Sequence, residues 1–199
     1  FTGYYQQLIS QGTSINIASS VAPQQIRRAV VGFDNRAAEA DELEKMKSLV
    51  TQAMEQGAVG LSAAWHSGGP EFVDELIEMA VVAAQYGGYY GTHVGSEGFD
   101  IGTELDKTFQ IARASGIPVH IYHLKIRGRE YWGQIGRVID KIESALAEGL
   151  EVTADQYPYT AMQHPWHRLM PRWIQDAPRS EIIPQFRDRQ FRDRVKADP

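Results

Sequence analysis

Residues 89–123 read YYGTHVGSEGFDIGTELDKTFQIARASGIPVHIYH. A short run of aromatic, small and β-branched residues passes through a glycine-containing turn into a helical stretch. In that stretch Ile101, Leu105, Phe109 and Ala112 recur on one face. Gly116 then supplies the left-handed conformation that stops a helix, and residues 117–123 form a second short apolar run. Strand, helix and strand together occupy the length of one βα crossover unit. The two apolar runs carry few polar residues on either side, which suits parallel strands covered by helices.

The same punctuation repeats outward. Gly57, Gly87 and Gly149 each follow an amphipathic segment and precede a short apolar one. Helices are predicted over residues 39–56, where Leu43, Met46, Val50 and Ala53 share a face, and over 71–86, through Val73, Leu76, Ile77, Ala80 and Ala84. Another is marked by Ile135, Val138, Ile139, Ile142 and Leu146. Strands are predicted at 14–21, 58–62, 89–94, 117–123 and 150–155. This alternation is α/β. It fits a partial (β/α)8 TIM-like barrel or an open doubly wound sheet. No Gly-x-Gly-x-x-Gly turn and no P-loop is present, which argues against a nucleotide-binding sheet. Residues 156–174, rich in Tyr, Pro, Trp and His, read as a long loop over one end of the sheet, where barrel active sites are built. Residues 178–197 alternate Arg and Asp around Ile182, Phe186, Phe191 and Val195 and read as one exposed helix.

Composition bounds the function. A chain of 199 residues with 43% hydrophobic and 23% charged residues can bury a sizeable core. The net charge of -5 presents no basic field to nucleic acid. There is no cysteine, hence neither a disulfide nor a thiolate ligand. No apolar run approaches the roughly 20 residues of a membrane span. No signal peptide is visible, the chain opens at Phe1, and both ends read as cuts within a longer protein. A cytoplasmic location is expected over a secreted one, and the oligomeric state is left open.

His93 and His123 each end a predicted strand and lie 30 residues, one βα unit, apart. Two imidazoles from neighbouring parallel strands meet at one barrel mouth, where they suit zinc or a hydrogen-bonded histidine pair. His120 lies three residues before His123, so strand alternation predicts it on the opposite face, against the helix layer. Lys125 is expected on the same side as His123, either binding a substrate carboxylate or solvated in a loop. His66, His164 and His167 read as loop-packing or pocket-lining residues. Glu97 and Asp155 read as carboxylates that orient a ligand histidine or cap a turn. Tyr157 and Tyr159 offer phenols at the mouth or pack the loop.

Four motifs in order add a resemblance. Gly57-Ala58-Val59-Gly60-Leu61-Ser62 and Thr92-His93-Val94-Gly95-Ser96-Glu97-Gly98 are the first two. His123-Leu124-Lys125 with Trp132-Gly133 is the third, and Asp155-Gln156-Tyr157-Pro158-Tyr159-Thr160-Ala161 the fourth. In sequence and spacing they resemble the N-acyl-D-amino-acid deacylase family of the amidohydrolase superfamily, over nearly the whole chain. The resemblance implies that residues 1–199 are part of a single barrel domain, accompanied in the family by a small β-sandwich built from sequence outside this piece. It implies one or two zinc ions, with His93 and His123 as metal ligands and Lys125 and Tyr157 as substrate contacts. The implied reaction is hydrolysis of a small-molecule N-acyl-D-amino acid to a carboxylate and a free D-amino acid. The family's His-x-His pair and bridging cysteine are expected upstream and its catalytic aspartate downstream. The piece alone is therefore expected to be inactive and to aggregate.

Two positions depart from the family pattern. Gly95 stands where arginine is frequent, and Ala63-Ala64-Trp65-His66 stands where Thr-Gly-Leu is frequent. Both bear on side-chain preference. The alternatives are another amidohydrolase, opening a cyclic amide or cleaving a dipeptide, and a non-catalytic barrel that serves as a binding module.

Overall fold

Four short parallel strands lie side by side in chain order: β1 (Gly60–Ala64), β2 (Tyr89–His93), β3 (Val119–Ile121) and β4 (Val152–Ala154). They belong to a computed structural model that describes residues 1–64, 71–98, 100–161, 163, 170–175 and 177–198. The chain divides into two compact units, Phe1–Tyr157 and Pro158–Pro199. In the first, α1 (Thr2–Gln11), α2 (Pro23–Val30) and α3 (Ala40–Glu55) precede β1. Helices α4 (Glu71–Gln85), α5 (Ile101–Ser115) and α6 (Ile135–Ala147) connect consecutive strands.

The strand register sorts side chains into rows. Leu61, Tyr90, Val119 and Val152 align, and two positions on Ala63, Thr92, Ile121 and Ala154 align. All of these except the exposed Ala154 are buried. Leu61, Ala63, Tyr90, Val119, Ile121 and Val152 pack with Met46, Val50, Leu76, Met79, Leu105, Phe109, Ile111 and Val138 of α3 to α6 into one apolar core. A fully buried Leu, Ile or Phe side chain contributes about 1.5–3 kcal/mol here. The row between, Ser62, Gly91, His120 and Thr153, belongs to the opposite, polar face of the sheet.

Helix ends follow the sequence signals. Gly116 has φ 70° and returns its N–H to the Ala112 carbonyl at 2.8 Å, ending α5. At the start of α3 the Glu42 carboxylate accepts the Glu39 backbone N–H at 2.8 Å and both terminal nitrogens of Arg36 at 2.7 Å. A carboxylate is favourable there because helix N-terminal N–H groups lack intrahelical partners.

Helices α1 and α2 had no counterpart in the sequence reading. Helix α1 buries none of its residues, so it carries no apolar stripe to detect. Helix α2 begins with Pro23 in its first turn, which is a start signal, but it is short. It is held by Arg27, only 8% exposed, whose Nε donates to Glu75 of α4 at 2.9 Å. The remaining Arg27 nitrogens reach the carbonyls of Asp34 and Arg36, while Glu75 accepts the Ala38 N–H at 2.7 Å.

Three expectations need correction. Residues 14–21 do not form a strand. Only Val21 bridges, in parallel to Leu61, through Val21 N–H to Gly60 O and Ser62 N–H to Val21 O, both 2.9 Å. Ile15 and Ile17 stay exposed, so no buried face holds the rest of the segment in register. The runs at 117–123 and 150–155 shorten to β3 and β4; in the first, Pro118 lacks an N–H and Tyr122–His123 turn away.

Residues 178–197 split into α8 (Arg179–Gln185) and α9 (Arg189–Ala197), preceded by α7 (Arg172–Gln175). Asp188 caps α9 by accepting the Gln190 N–H at 2.9 Å. These helices are not all surface: Ile174, Ile182 and Phe191 form a small core of the second unit, with Trp173 and Phe186 against Phe191. The loop expected over 156–174 lies partly outside the described residues, as do His66, His164 and His167. Among the described residues no helix is long and apolar enough to cross a membrane.

Candidate functional site

His93 is the last residue of β2, on the face it shares with Tyr89 and Gly91. His123 lies two residues beyond β3 and has φ 41°, the positive-φ value found among the described non-glycine residues. Continued strand alternation would carry its ring to the helix side with Ile121. The left-handed turn swings it to the polar face instead. There His93 Nδ1 and His123 Nε2 face one another at 2.5 Å, with ring centroids 4.5 Å apart.

His120 is the corresponding correction. It was expected against the helix layer but stands on the polar face, because regular alternation applies to it and not to His123. Its Nδ1 meets Thr153 Oγ1 at 2.8 Å and its Nε2 meets Asp155 Oδ2 at 2.9 Å. Odd spacing separates two strand residues only while the backbone stays extended, and here it does not.

Around His123 the other expected residues gather. Glu97 Oε1 is 3.0 Å from His123 Nδ1 and accepts from Lys125 Nζ at 2.5 Å. Lys125 Nζ also donates to the His123 carbonyl at 3.1 Å and lies 2.9 Å from His123 Nδ1. Tyr157 completes the rim, with its ring 6.5 Å from that of His123 and 5.4 Å from Lys125 Nζ. The structure thus brings His93, His123, Lys125 and Tyr157 together. Asp155 is held below its ordinary 3.8, first by the His120 hydrogen bond and then by the His123 backbone N–H.

Sequence reasoning missed the floor beneath the pair. The Tyr122 ring lies 5.0 Å from that of His93 and 5.3 Å from that of His120. Its hydroxyl is 3.4 Å from that of Tyr89, which in turn is 3.2 Å from Ser20 Oγ. Burial pushes the Tyr122 phenol upward. Gly91 makes this possible, since a Cβ there would overlap the Tyr122 hydroxyl. A glycine inside a strand is the one sequence signal of such close approach.

The donor pair fits a zinc ion in kind. Zinc takes imidazole nitrogen at about 2.0–2.1 Å, so two nitrogens in a tetrahedral set stand about 3.3 Å apart. Opening the present 2.5 Å separation to that value is a small ring movement. Among the described residues no group of three or more His, Asp or Glu could hold a metal ion.

Comparisons with known proteins agree with one another. A D-aminoacylase of Alcaligenes xylosoxydans xylosoxydans is 34% identical over 163 residues, covering 81% of this chain and 34% of the relative. The crystal structure of a D-aminoacylase, described as defining a novel subset of amidohydrolases, is 33% identical with a TM-score of 0.72, over 79% of this chain and 34% of that one. The N-acyl-D-glutamate deacylase of Bordetella bronchiseptica, solved with zinc and a phosphonate mimic of the tetrahedral intermediate, is 28% identical with a TM-score of 0.72, over 78% and 33%. The chain spans about a third of the length of these relatives. No protein-family model matches it. With the parallel sheet, these likenesses identify the fold as α/β, part of a TIM-like (β/α)8 barrel of the amidohydrolase type.

Proposed function

We propose that this chain, a homologue of the N-acyl-D-amino-acid deacylases of the amidohydrolase superfamily, is an internal part of a zinc-dependent enzyme that hydrolyses N-acyl-D-amino acids. On this reading residues 1–199 belong to one barrel domain. The observation that carries the proposal is the approach of His93 Nδ1 to His123 Nε2 at the exits of adjacent parallel strands.

His93 and His123 would hold zinc through those two nitrogens. A bound zinc supplies Lewis acidity towards an amide carbonyl and a nucleophile at neutral pH. With zinc on Nε2 the proton of His123 sits on Nδ1, and Glu97 Oε1, 3.0 Å away, would be the carboxylate facing it. Lys125 carries three N–H donors; Glu97, the His123 carbonyl and His123 Nδ1 stand within reach of them, and a substrate carboxylate would take the donor that Nδ1 gives up once it carries its own proton. Tyr157 borders the same space with its ring and phenol. The reaction then releases a carboxylate and a free D-amino acid from a small-molecule substrate.

The test uses the full-length protein. Zinc content is measured with and without His93→Ala, and hydrolysis of N-acetyl-D- and N-acetyl-L-amino acids is compared. Zinc lost with His93 and turnover confined to D-substrates support the reading. A zinc-free native protein, or hydrolysis of L-substrates alone, overturns it.

A further inference from the structure

We infer that Asp155 is the positioning residue that holds His123 in its left-handed turn and so aims Nε2 at His93. The inference rests on the reading of His93 and His123 as metal ligands.

One residue grips three points of the β3 exit. The Asp155 N–H donates to the Ile121 carbonyl at 3.1 Å, and the Asp155 carbonyl accepts the Leu124 N–H at 2.8 Å. Between them its Oδ1 accepts the His123 N–H at 2.5 Å. The first two bonds would pass any side chain. The third depends on the carboxylate and falls on the residue with φ 41°. A non-glycine residue in that region is strained and persists only when its surroundings over-determine it. Here the peptide N–H exposed by the turn is satisfied by a side chain 32 residues away, just beyond β4.

The carboxylate is itself aimed. Oδ2 meets His120 Nε2 at 2.9 Å, and His120 Nδ1 is placed by Thr153 Oγ1 at 2.8 Å. Thr153 Oγ1 in turn donates to the Val119 carbonyl at 3.3 Å. The chain Val119–Thr153–His120–Asp155–His123 therefore runs from the regular part of β3 to the ligand it orients. This gives His120 a defined task.

The experiment uses the full-length protein stripped of metal and titrated with cobalt(II), whose visible d–d bands report ligand geometry. Wild type, Asp155→Ala, Asp155→Asn, His120→Phe and His93→Ala are compared, each with a thermal melt. Expected for Asp155→Ala is a shifted d–d spectrum and cobalt affinity lower by about 10–100-fold, the range for losing a group that orients a ligand. Asp155→Asn keeps an oxygen for the His123 N–H and restores both to near wild type. A wild-type spectrum and affinity in Asp155→Ala overturn the inference. If Asp155→Ala does not fold, His120→Phe decides: an altered spectrum in a protein that melts as wild type supports it, and an unchanged spectrum overturns it. Undiminished cobalt binding by His93→Ala sinks the metal reading instead, so the two failures are distinguishable.

Discussion

His93 and His123 meet nitrogen to nitrogen at 2.5 Å although they reach the meeting point by different routes. His93 comes off a regular strand, whereas His123 comes off a turn with φ 41°. Two neutral imidazoles in this arrangement share either a proton or a cation. In the full-length protein we expect a cation. Alanine at either position should reduce zinc occupancy below about a tenth of wild type and turnover by at least about 10³-fold, since the ion supplies several kcal/mol of transition-state stabilisation. Elemental analysis beside a D-substrate assay checks both. Full zinc in both variants would refute it.

Glu97→Ala removes the carboxylate that stands 3.0 Å from His123 Nδ1 and accepts from Lys125 Nζ. Zinc affinity should fall by about 10–100-fold in competition with a chelator. KM should rise at saturating zinc, because Lys125 loses the anchor that holds it at the rim. Unchanged zinc affinity would remove Glu97 from the site.

Arg27 and Glu75 form a buried pair with side chains 9% and 7% exposed. Arg27→Ala strands a buried carboxylate, so the expected loss is about 3–5 kcal/mol, read from urea unfolding. The double variant Arg27→Met with Glu75→Leu should cost much less than the two single losses combined. Additive losses would mean that the pair is not coupled.

Gly91→Ala places a methyl group where the Tyr122 hydroxyl lies. Overpacking of this kind costs about 1–3 kcal/mol. Because the Tyr122 ring borders His93, zinc affinity should drop along with stability. Adding Tyr122→Ala should recover most of the stability. A melting curve for Gly91→Ala that overlays wild type would contradict the packing described.

Glu42 is lowered from an ordinary 4.5 to about 2, chiefly by its hydrogen bond to Arg36. A carboxyl whose folded value is depressed stabilises the native state above its unfolded value and stops doing so as pH falls through the folded one. Its contribution is therefore complete above about pH 4.5 and vanishes towards pH 2. Glu42→Gln should flatten the acid limb of the stability profile in that window and lower stability at neutral pH. An unchanged acid limb would dissociate the cap from the pH response.

Much of the architecture could be read along the chain. The predicted helices at 39–56 and 71–86 correspond to α3 and α4, and those marked by Ile101 and by Ile135 correspond to α5 and α6. Their apolar spacing is a local property that any covered βα unit must satisfy. The glycines expected to stop them, Gly57, Gly87, Gly116 and Gly149, all have positive φ. Where the signal was weak the reading failed: α1 buries nothing, and residues 14–21 have no buried face.

The sequence by itself determined the alternation of β1 to β4 with α3 to α6 and the strand ends near which His93 and His123 would emerge. Periodicity and punctuation are repeated every few residues and survive local errors. Only the tertiary structure decided which way His123 and His120 face. That direction depends on one backbone dihedral, and the hydrogen bond accompanying it comes from Asp155, 32 residues later. The same holds for Arg27 with Glu75 and for Glu97 with Lys125, which meet across 48 and 28 residues. A pair that exists only after the sheet has assembled leaves no periodic trace in the chain that encodes it.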